Sequence, residues 1–315
     1  MNTIAPRHFI AAADADRLLL DDLFARARTM EQIVEQKGGS DALHNRVLAT
    51  LFYEPSTRTR LSFEAAMLRL GGAVISSENA REHSSGAKGE TLEDTVRIVG
   101  GYADCVVVRH DQEGAAARMA AVSPVPVING GDGRGEHPTQ ALLDLYTIER
   151  EIGHIDALRI ALVGDLANGR TVHSLCRMLP FYRDLHLYLV APEATRMRGD
   201  VLEFLQAHNV QYEETEDLMG VAGEVDVLYQ TRVQKERFVD LAAYVEASGR
   251  YTVDRDLMIR LPEHSIVLHP LPRVGEIDPV VDSDLRSAYF RQARNGLFVR
   301  MALLTLLLDS PSKLL

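Results

Sequence analysis

Short β-branched runs alternate with helix-patterned stretches along nearly the whole chain, and this alternation limits the folds open to it. Strand-like runs occur at VLATLFY (47 to 53), GAVISS (72 to 77), DCVVVRH (104 to 110), VPVIN (125 to 129), LRIALVGD (158 to 165), DLHLYLVAP (184 to 192), VDVLYQT (225 to 231) and SIVLHPL (265 to 271). Between them lie TRLSFEAAMLRLG, ETLEDTVRIVGGYA, PTQALLDLYTIEREIG, GRTVHSLCRMLPFY and MRGDVLEFLQAHN. Strand followed by helix at this spacing implies parallel sheets with helices on both faces. The continuous apolar character of the strands suits sheets buried on both sides.

A length of 315 residues favours two domains of roughly 150 residues each. A charged helical stretch near 149 to 157 separates the first strand and helix units from the rest. The expected class is therefore α/β, with two doubly wound parallel-sheet domains over 1–150 and 151–286 and an active site in the cleft between them. A last helix, from about 287 to 310, is long enough to pack back on the first domain. In such sheets ligands bind at the carboxyl ends of the strands, and most of the polar clusters in this sequence fall there.

Composition removes several function classes. A net charge of -11 leaves no basic surplus to neutralise a phosphate backbone, which argues against general nucleic-acid binding. Cys105 and Cys176 stand alone in apolar sequence, suiting a reducing compartment better than a disulfide framework. The N-terminal MNTIAPRHFIAAADADRLLL is broken by Asp14, Asp16 and Arg17 and makes a poor signal peptide. The run from Met301 to Leu308 is far short of the ~20 residues a membrane helix needs. These features predict a cytoplasmic protein without a membrane span.

In EPSTRTR, Ser56, Thr57, Arg58, Thr59 and Arg60 follow a strand and open a helix. Helix-terminal N–H groups, hydroxyls and a guanidinium together make an anion cradle. The plainer alternative is that Ser56 caps the helix and the arginines form a solvated face. His137 and Gln140 flank the start of another helix, with Pro138 in its first turn. The glycine-rich INGGDGRGEHP before them lacks the dinucleotide spacing. GDLANGRT (164 to 171) nearly fits a nucleotide-triphosphatase loop but has Arg170 where lysine should stand, so a carboxylate or phosphate fork is the better reading. Arg232 and Gln234 in TRVQKER lie on one face if the strand VDVLYQ continues, and belong either to a site or to a surface charge cluster. HPLPRVGEI ends a strand with Pro270 and Pro272, stiffening a turn that suits carbonyls aimed at a ligand. No zinc-binding H-E-x-x-H, no G-x-S-x-G elbow and no cysteine cluster occurs. What remains is rich in cations and amides, favouring positioning and electrostatic stabilisation over covalent catalysis.

Taken in order, STRTR, HSSGAKGETLEDT, VVVRH, HPTQ, GDLANGRTVHSL, TRVQKERF and HPLPR resemble the aspartate carbamoyltransferase catalytic-chain family, over nearly the whole chain. The resemblance implies attack of the α-amine of L-aspartate on carbamoyl phosphate, giving N-carbamoyl-L-aspartate and phosphate toward pyrimidines, with no cofactor or metal. It assigns the phosphate to Ser56, Thr57, Arg58 and Thr59. Arg109 then bridges phosphate and carbonyl oxygen, and Thr59, Arg109 and His137 surround the oxygen that becomes negative. Gln140 and the backbone of Leu271 and Pro272 would hold the carbamoyl amide; Arg170, Arg232 and Gln234 would take the aspartate carboxylates. Lys88 and Ser84, with Ser85 a competitor for the serine role, would enter a neighbouring subunit's site and make a homotrimer the smallest competent unit. Arg60 receives no ligand role. The resemblance leaves open regulatory chains or a dihydroorotase as partners. The nearest rival is ornithine carbamoyltransferase, although His269, Pro270, Leu271 and Pro272 lack that family's late cysteine and Arg232 would repel an ammonium side chain. A non-catalytic homologue that keeps the fold is the reading from another class.

Overall fold

The computed structural model describes residues 7–78, 89–232 and 251–308. They fall into two units: residues up to Leu142 together with those from Arg294 onward, and Leu143–Ala293.

The first unit is built on a four-stranded sheet with order β2-β1-β3-β4, every pairing parallel. Its strands are β1 (Val47–Phe52), β2 (Ala73–Glu78), β3 (Cys105–His110) and β4 (Val127–Asp132). β3 and β4 are buried at every position, while β2 at the sheet edge is largely exposed. This is the burial expected when helices cover both faces of the inner strands. The intervening helices are α1 (Arg17–Lys37), α2 (Thr57–Arg69), α3 (Leu92–Val99) and α4 (Ala115–Val122). Their ends follow local chemistry. Asp16 caps α1 by accepting from the Leu19 amide at 2.8 Å, and Gly38 at φ 77° ends it in the left-handed conformation. Thr91 caps α3 by accepting from the Asp94 amide, with Glu93 and Asp94 at the positive end of the helix dipole. Ala49, Val106, Val108, Met119 and Val127 form the centre of one core layer.

The second unit carries a five-stranded parallel sheet with order β7-β6-β5-β8-β9. Here β5 is Arg159–Val163, β6 His186–Val190, β7 Gln211–Thr215, β8 Val227–Gln230 and β9 Ile266–Leu268. Helix α5 (Pro138–Ile152) contributes residues to both units. It is followed by α6 (Arg170–Met178), α7 (Gly199–Ala207), the single turn α8 (Leu218–Val221) and α9 (Arg255–Arg260). The last helix, α10 (Tyr289–Leu308), also supplies residues to both. All eight strand-like runs of the sequence form strands. β7 was not among them, because its sequence QYEET is polar and no position of it is buried; pairing with β6 makes it a strand, not propensity. Cys105 and Cys176 are buried and unpaired with each other, and burial pushes both thiols up to about 12.

A chain of buried polar groups runs through the second unit. Tyr229 on β8 donates its hydroxyl to Asp144 Oδ2 at 2.7 Å, and Gln292 Nε2 donates to Asp144 Oδ1 at 2.6 Å. Gln292 Oε1 in turn accepts the His269 amide at 2.8 Å, just beyond β9. His269 Nε2 lies 2.7 Å from Glu276 Oε1, whose other oxygen accepts the Val274 and Gly275 amides at 3.1 and 3.0 Å. Every member is satisfied, as buried polar groups must be. Burial by itself raises the Glu276 pKa, but the hydrogen bonds from His269 and the neighbouring amides outweigh it and bring it from 4.5 down to about 2. A carboxyl that stays ionised in the folded chain below the pH at which it protonates in the unfolded chain stabilises the fold above that pH. The Glu276 contribution is therefore present above about pH 4.5 and lost as pH falls toward 2. Acid titration followed by circular dichroism should show a shallower loss of stability across that window in Glu276→Gln than in the parent, on a lower plateau at neutral pH. Parallel curves would contradict the assigned shift.

Candidate active site

In the first sheet the chain winds from β1 outward to β2 and then returns to the other side as β3, so the winding reverses between β1 and β3. Loops part at such a reversal and leave a crevice at the carboxyl edge. β1 runs into EPSTRTR there. Ser56 holds the N-cap position of α2, yet its side chain makes no capping hydrogen bond, so the capping alternative does not account for its hydroxyl. Thr57 and Arg58 are exposed in the first turn and Thr59 is buried. Although Arg58 is exposed as a residue, partial desolvation of its guanidinium lowers its pKa from the ordinary value. Arg60, by contrast, turns to the sheet edge: it donates to Glu78 Oε2 at 2.8 Å and to Glu64 Oε1 at 3.5 Å. That makes it an ion-paired structural residue.

Arg109 lies opposite Phe52 in the β1–β3 register and is 9% exposed. Its Nη1 donates to the Gly130 carbonyl at 3.2 Å and its Nη2 pairs with Glu54 Oε2 at 3.1 Å. His137, buried just before α5, brings Nε2 to 3.4 Å from Thr59 Oγ1 and Nδ1 to 3.4 Å from Thr139 Oγ1. Gly130 closes the group, since a Cβ there would sit 3.5 Å from the Thr59 methyl. Thr59, Arg109 and His137 therefore converge at the carboxyl ends of three adjacent strands, beside the amino terminus of α2. Gln140 follows in the first turn of α5, half-buried, its amide donating to the His137 carbonyl at 2.9 Å. The loop after β4 is shaped for this placement: Gly133 at φ 49° passes so close to the Asp111 carbonyl that a Cβ would meet it at 2.5 Å.

The second sheet reverses between β5 and β8, and both predicted carboxylate forks follow those two strands. Gly164, at φ 112°, faces Thr231; a Cβ would meet the Thr231 carbonyl and hydroxyl oxygens at 2.7 Å. Thr231 Oγ1 donates to the Val163 carbonyl at 2.8 Å and accepts the Asp165 amide at 3.0 Å. The glycine that made GDLANGRT look like a nucleotide loop is thus explained by a strand-to-strand contact. Arg170 opens α6 and Arg232 follows β8, both half-buried. The next strand, β9, leads to Leu271 and Pro272, joined by a cis peptide bond, with Leu271 at φ 45°. Ser84, Lys88 and Gln234 lie outside the described residues. Among the described residues no group of three or more His, Cys, Asp or Glu is arranged to hold a metal ion.

Two residues, one in each unit, escaped the sequence. Glu54 precedes the PSTRTR run and reads as an ordinary surface acid until the strand register sets it against Arg109. Glu276, likewise, is one acid among several near HPLPR, and only the folded turn pairs it with His269.

Comparisons with known proteins identify the family. Residues 7–150 match the family profile described as aspartate/ornithine carbamoyltransferase, carbamoyl-P binding domain, and residues 156–307 match its Asp/Orn binding domain. The aspartate carbamoyltransferase 1, chloroplastic, of Pisum sativum is 57% identical over 300 residues, covering 95% of this chain and 78% of its own. The catalytic subunit of the Methanocaldococcus jannaschii enzyme is 47% identical, covering 96% of this chain and 98% of its own. Among solved structures, aspartate transcarbamoylase from Trypanosoma cruzi in complex with carbamoyl phosphate and aspartate superposes with a TM-score of 0.91 at 41% identity, covering 98% of this chain and 99% of that one. The same enzyme has been solved with N-(phosphonacetyl)-L-aspartic acid, at a TM-score of 0.92 and 42% identity over 97% of each chain. With both halves matched and relatives of this identity spanning almost all of it, the chain belongs to the aspartate/ornithine carbamoyltransferase family.

Proposed function

We propose that the chain transfers the carbamoyl group of carbamoyl phosphate to the α-amine of L-aspartate, giving N-carbamoyl-L-aspartate and phosphate toward pyrimidines. The observation that carries this reading is the convergence of Thr59, Arg109 and His137 beside the start of α2. A carbonyl oxygen held among a hydroxyl, a guanidinium and an imidazole is stabilised as it gains negative charge, whereas the neutral ground state gains less. Ser56, Thr57, Arg58 and Thr59 bind the phosphate, aided by the helix dipole, and Arg109 spans phosphate and carbonyl. Gln140 with the carbonyls of Leu271 and Pro272 holds the amide. The aspartate nitrogen forms a bond to the carbamoyl carbon, the carbon–oxygen bond to phosphate breaks, and the departing phosphate accepts the proton that the amine loses. No nucleophilic side chain is needed.

Arg170 and Arg232, after adjacent strands of the second sheet, supply forks for the two carboxylates, with Gln234 and Lys88 beside the substrate by their match to the family motifs. Two guanidinium groups favour a dicarboxylic amino acid, because an acceptor lacking one carboxylate leaves a cation without its counterion. In this assignment residues 1–150 form the carbamoyl phosphate domain, 151–286 the aspartate domain, and α10 returns to the first.

The working unit in this reading is a homotrimer in the cytoplasm. Leu61 and Leu68 on α2 and Ile75 on the edge strand β2 are 49, 60 and 41% exposed. Such a run of apolar side chains beside an open sheet edge supports burial against another chain. Ser84 and Lys88 would then enter the neighbour's site. The two buried thiols suit a reducing compartment, and no helix among the described residues is long and apolar enough to cross a membrane.

Purified protein should form N-carbamoylaspartate from carbamoyl phosphate and aspartate and leave ornithine untouched; the opposite preference would sink the assignment. Arg58→Ala should lose at least about 10²-fold in kcat while its thermal unfolding stays close to that of the parent, and full activity in that variant would discredit the cradle. Mixing Arg58→Ala with Lys88→Ala subunits should regenerate a fraction of parental activity, since some shared sites would then contain neither substitution. No recovery after confirmed exchange would count against sharing.

A further inference from the structure

The turn that follows β9 must present two backbone carbonyls in fixed directions, and its conformation is an unfavourable one. Leu271 sits at φ 45°, in the left-handed region that an ordinary L-residue adopts only at a cost. Surrounding contacts have to hold it there. One of them is the His269 ring: its Nδ1 accepts the Leu271 amide at 2.7 Å. An accepting Nδ1 carries no proton, so the ring proton resides on Nε2 and is donated to Glu276 Oε1 at 2.7 Å. Glu276 Oε2 then accepts the Val274 and Gly275 amides. One imidazole and one carboxylate thereby grip both ends of the segment from Leu271 to Gly275. His269 and Glu276 are 2% and 6% exposed, and the His269 amide is itself tied through Gln292 to Asp144. Water therefore has little access to exchange with these bonds.

We propose that His269 and Glu276 are positioning residues: neutral His269, oriented by Glu276, holds the Leu271–Pro272 turn so that its carbonyls meet the carbamoyl amide. This rests on the functional reading above, in which those carbonyls hold the substrate nitrogen. Neither side chain touches the reacting atoms. The effect is transmitted through the Leu271 amide, and it acts on the amide end of the substrate while leaving the phosphate end alone. A displacement of about 1 Å at such a contact can cost on the order of 10²-fold in turnover.

The two ring nitrogens can be imitated one at a time. Asparagine places its amide oxygen near the Nδ1 position and can accept the Leu271 amide; glutamine places its amide nitrogen near Nε2 and can reach Glu276 but not Leu271. In the full-length protein, His269→Leu should lower kcat by roughly 10- to 100-fold and raise KM for carbamoyl phosphate. His269→Asn should recover most of that loss and His269→Gln little of it, although the two variants melt at similar temperatures. Calorimetry with two probes separates the ends of the site: phosphonoacetamide, which carries an amide, should bind more weakly to His269→Leu and His269→Gln, while inorganic phosphate binds all four proteins equally. Activity that simply follows melting temperature, Asn and Gln variants with equal kcat, or parallel weakening of both probes would overturn the positioning role. A parent protein that does not carbamoylate aspartate would overturn the functional reading, and this inference with it; an active parent with indifferent variants would remove only the inference.

Discussion

Burial of a parallel sheet on both faces governs where this chain can place chemistry. Helices cover the inner strands, so the apolar side chains along β3, β4 and β8, short of their carboxyl ends, are committed to the core. Polar groups that must meet a ligand are left with the carboxyl edge, where the loops and helix starts collect. The candidate residues obey this without exception among those described: Ser56 to Thr59, Arg109, His137 and Gln140 at one edge, and Arg170, Arg232, Leu271 and Pro272 at the other. Within each sheet they cluster at or next to the point where the winding reverses, between β1 and β3 and between β5 and β8. Helix-covered parallel strands dictate the position of the site before any catalytic side chain is chosen.

Crowding cations at such an edge has an electrostatic cost. Arg109 is almost fully buried, and a guanidinium removed from water without a counterion would be strongly destabilising. Glu54, 37% exposed at its side chain and 3.1 Å away, supplies the counterion from the more accessible side. An anionic ligand that approaches Arg109 competes with a partly solvated carboxylate, which is a weaker rival than a buried one. Arg58 stands at the start of α2, where desolvation lowers its pKa from the ordinary value.

Much of the fold was legible from the sequence, since period and β-branching mark buried strands directly, as in DCVVVRH and LRIALVGD. The polar edge strand QYEET was not, because what makes it a strand is the neighbour His186–Val190 and not its own composition. The site was legible where one short segment concentrates donors, as in STRTR, and where motifs recur in order. It was not legible where two distant residues acquire meaning only through register. Glu54 becomes a counterion because β1 pairs with β3, and Glu276 becomes a hydrogen-bond anchor because the chain turns back after His269. Gly164 carries the opposite lesson: its local context suggested a phosphate loop, while its neighbour 67 positions on, Thr231, supplies the physical reason for glycine.

Cys105 and Cys176 sit inside this scaffold with their thiols pushed up to about 12. Burial thus disfavours the reactive thiolate at neutral pH, and neither sulfur is exposed. Thiol-directed reagents accordingly reach neither sulfur readily while the chain is folded, and both thiols become available when the structure around them opens. The protein thus carries an internal clock in each unit, one sulfur on β3 and one on α6. The rate at which each is consumed reports how often the structure around it opens, and a ligand that stabilises the folded state slows it.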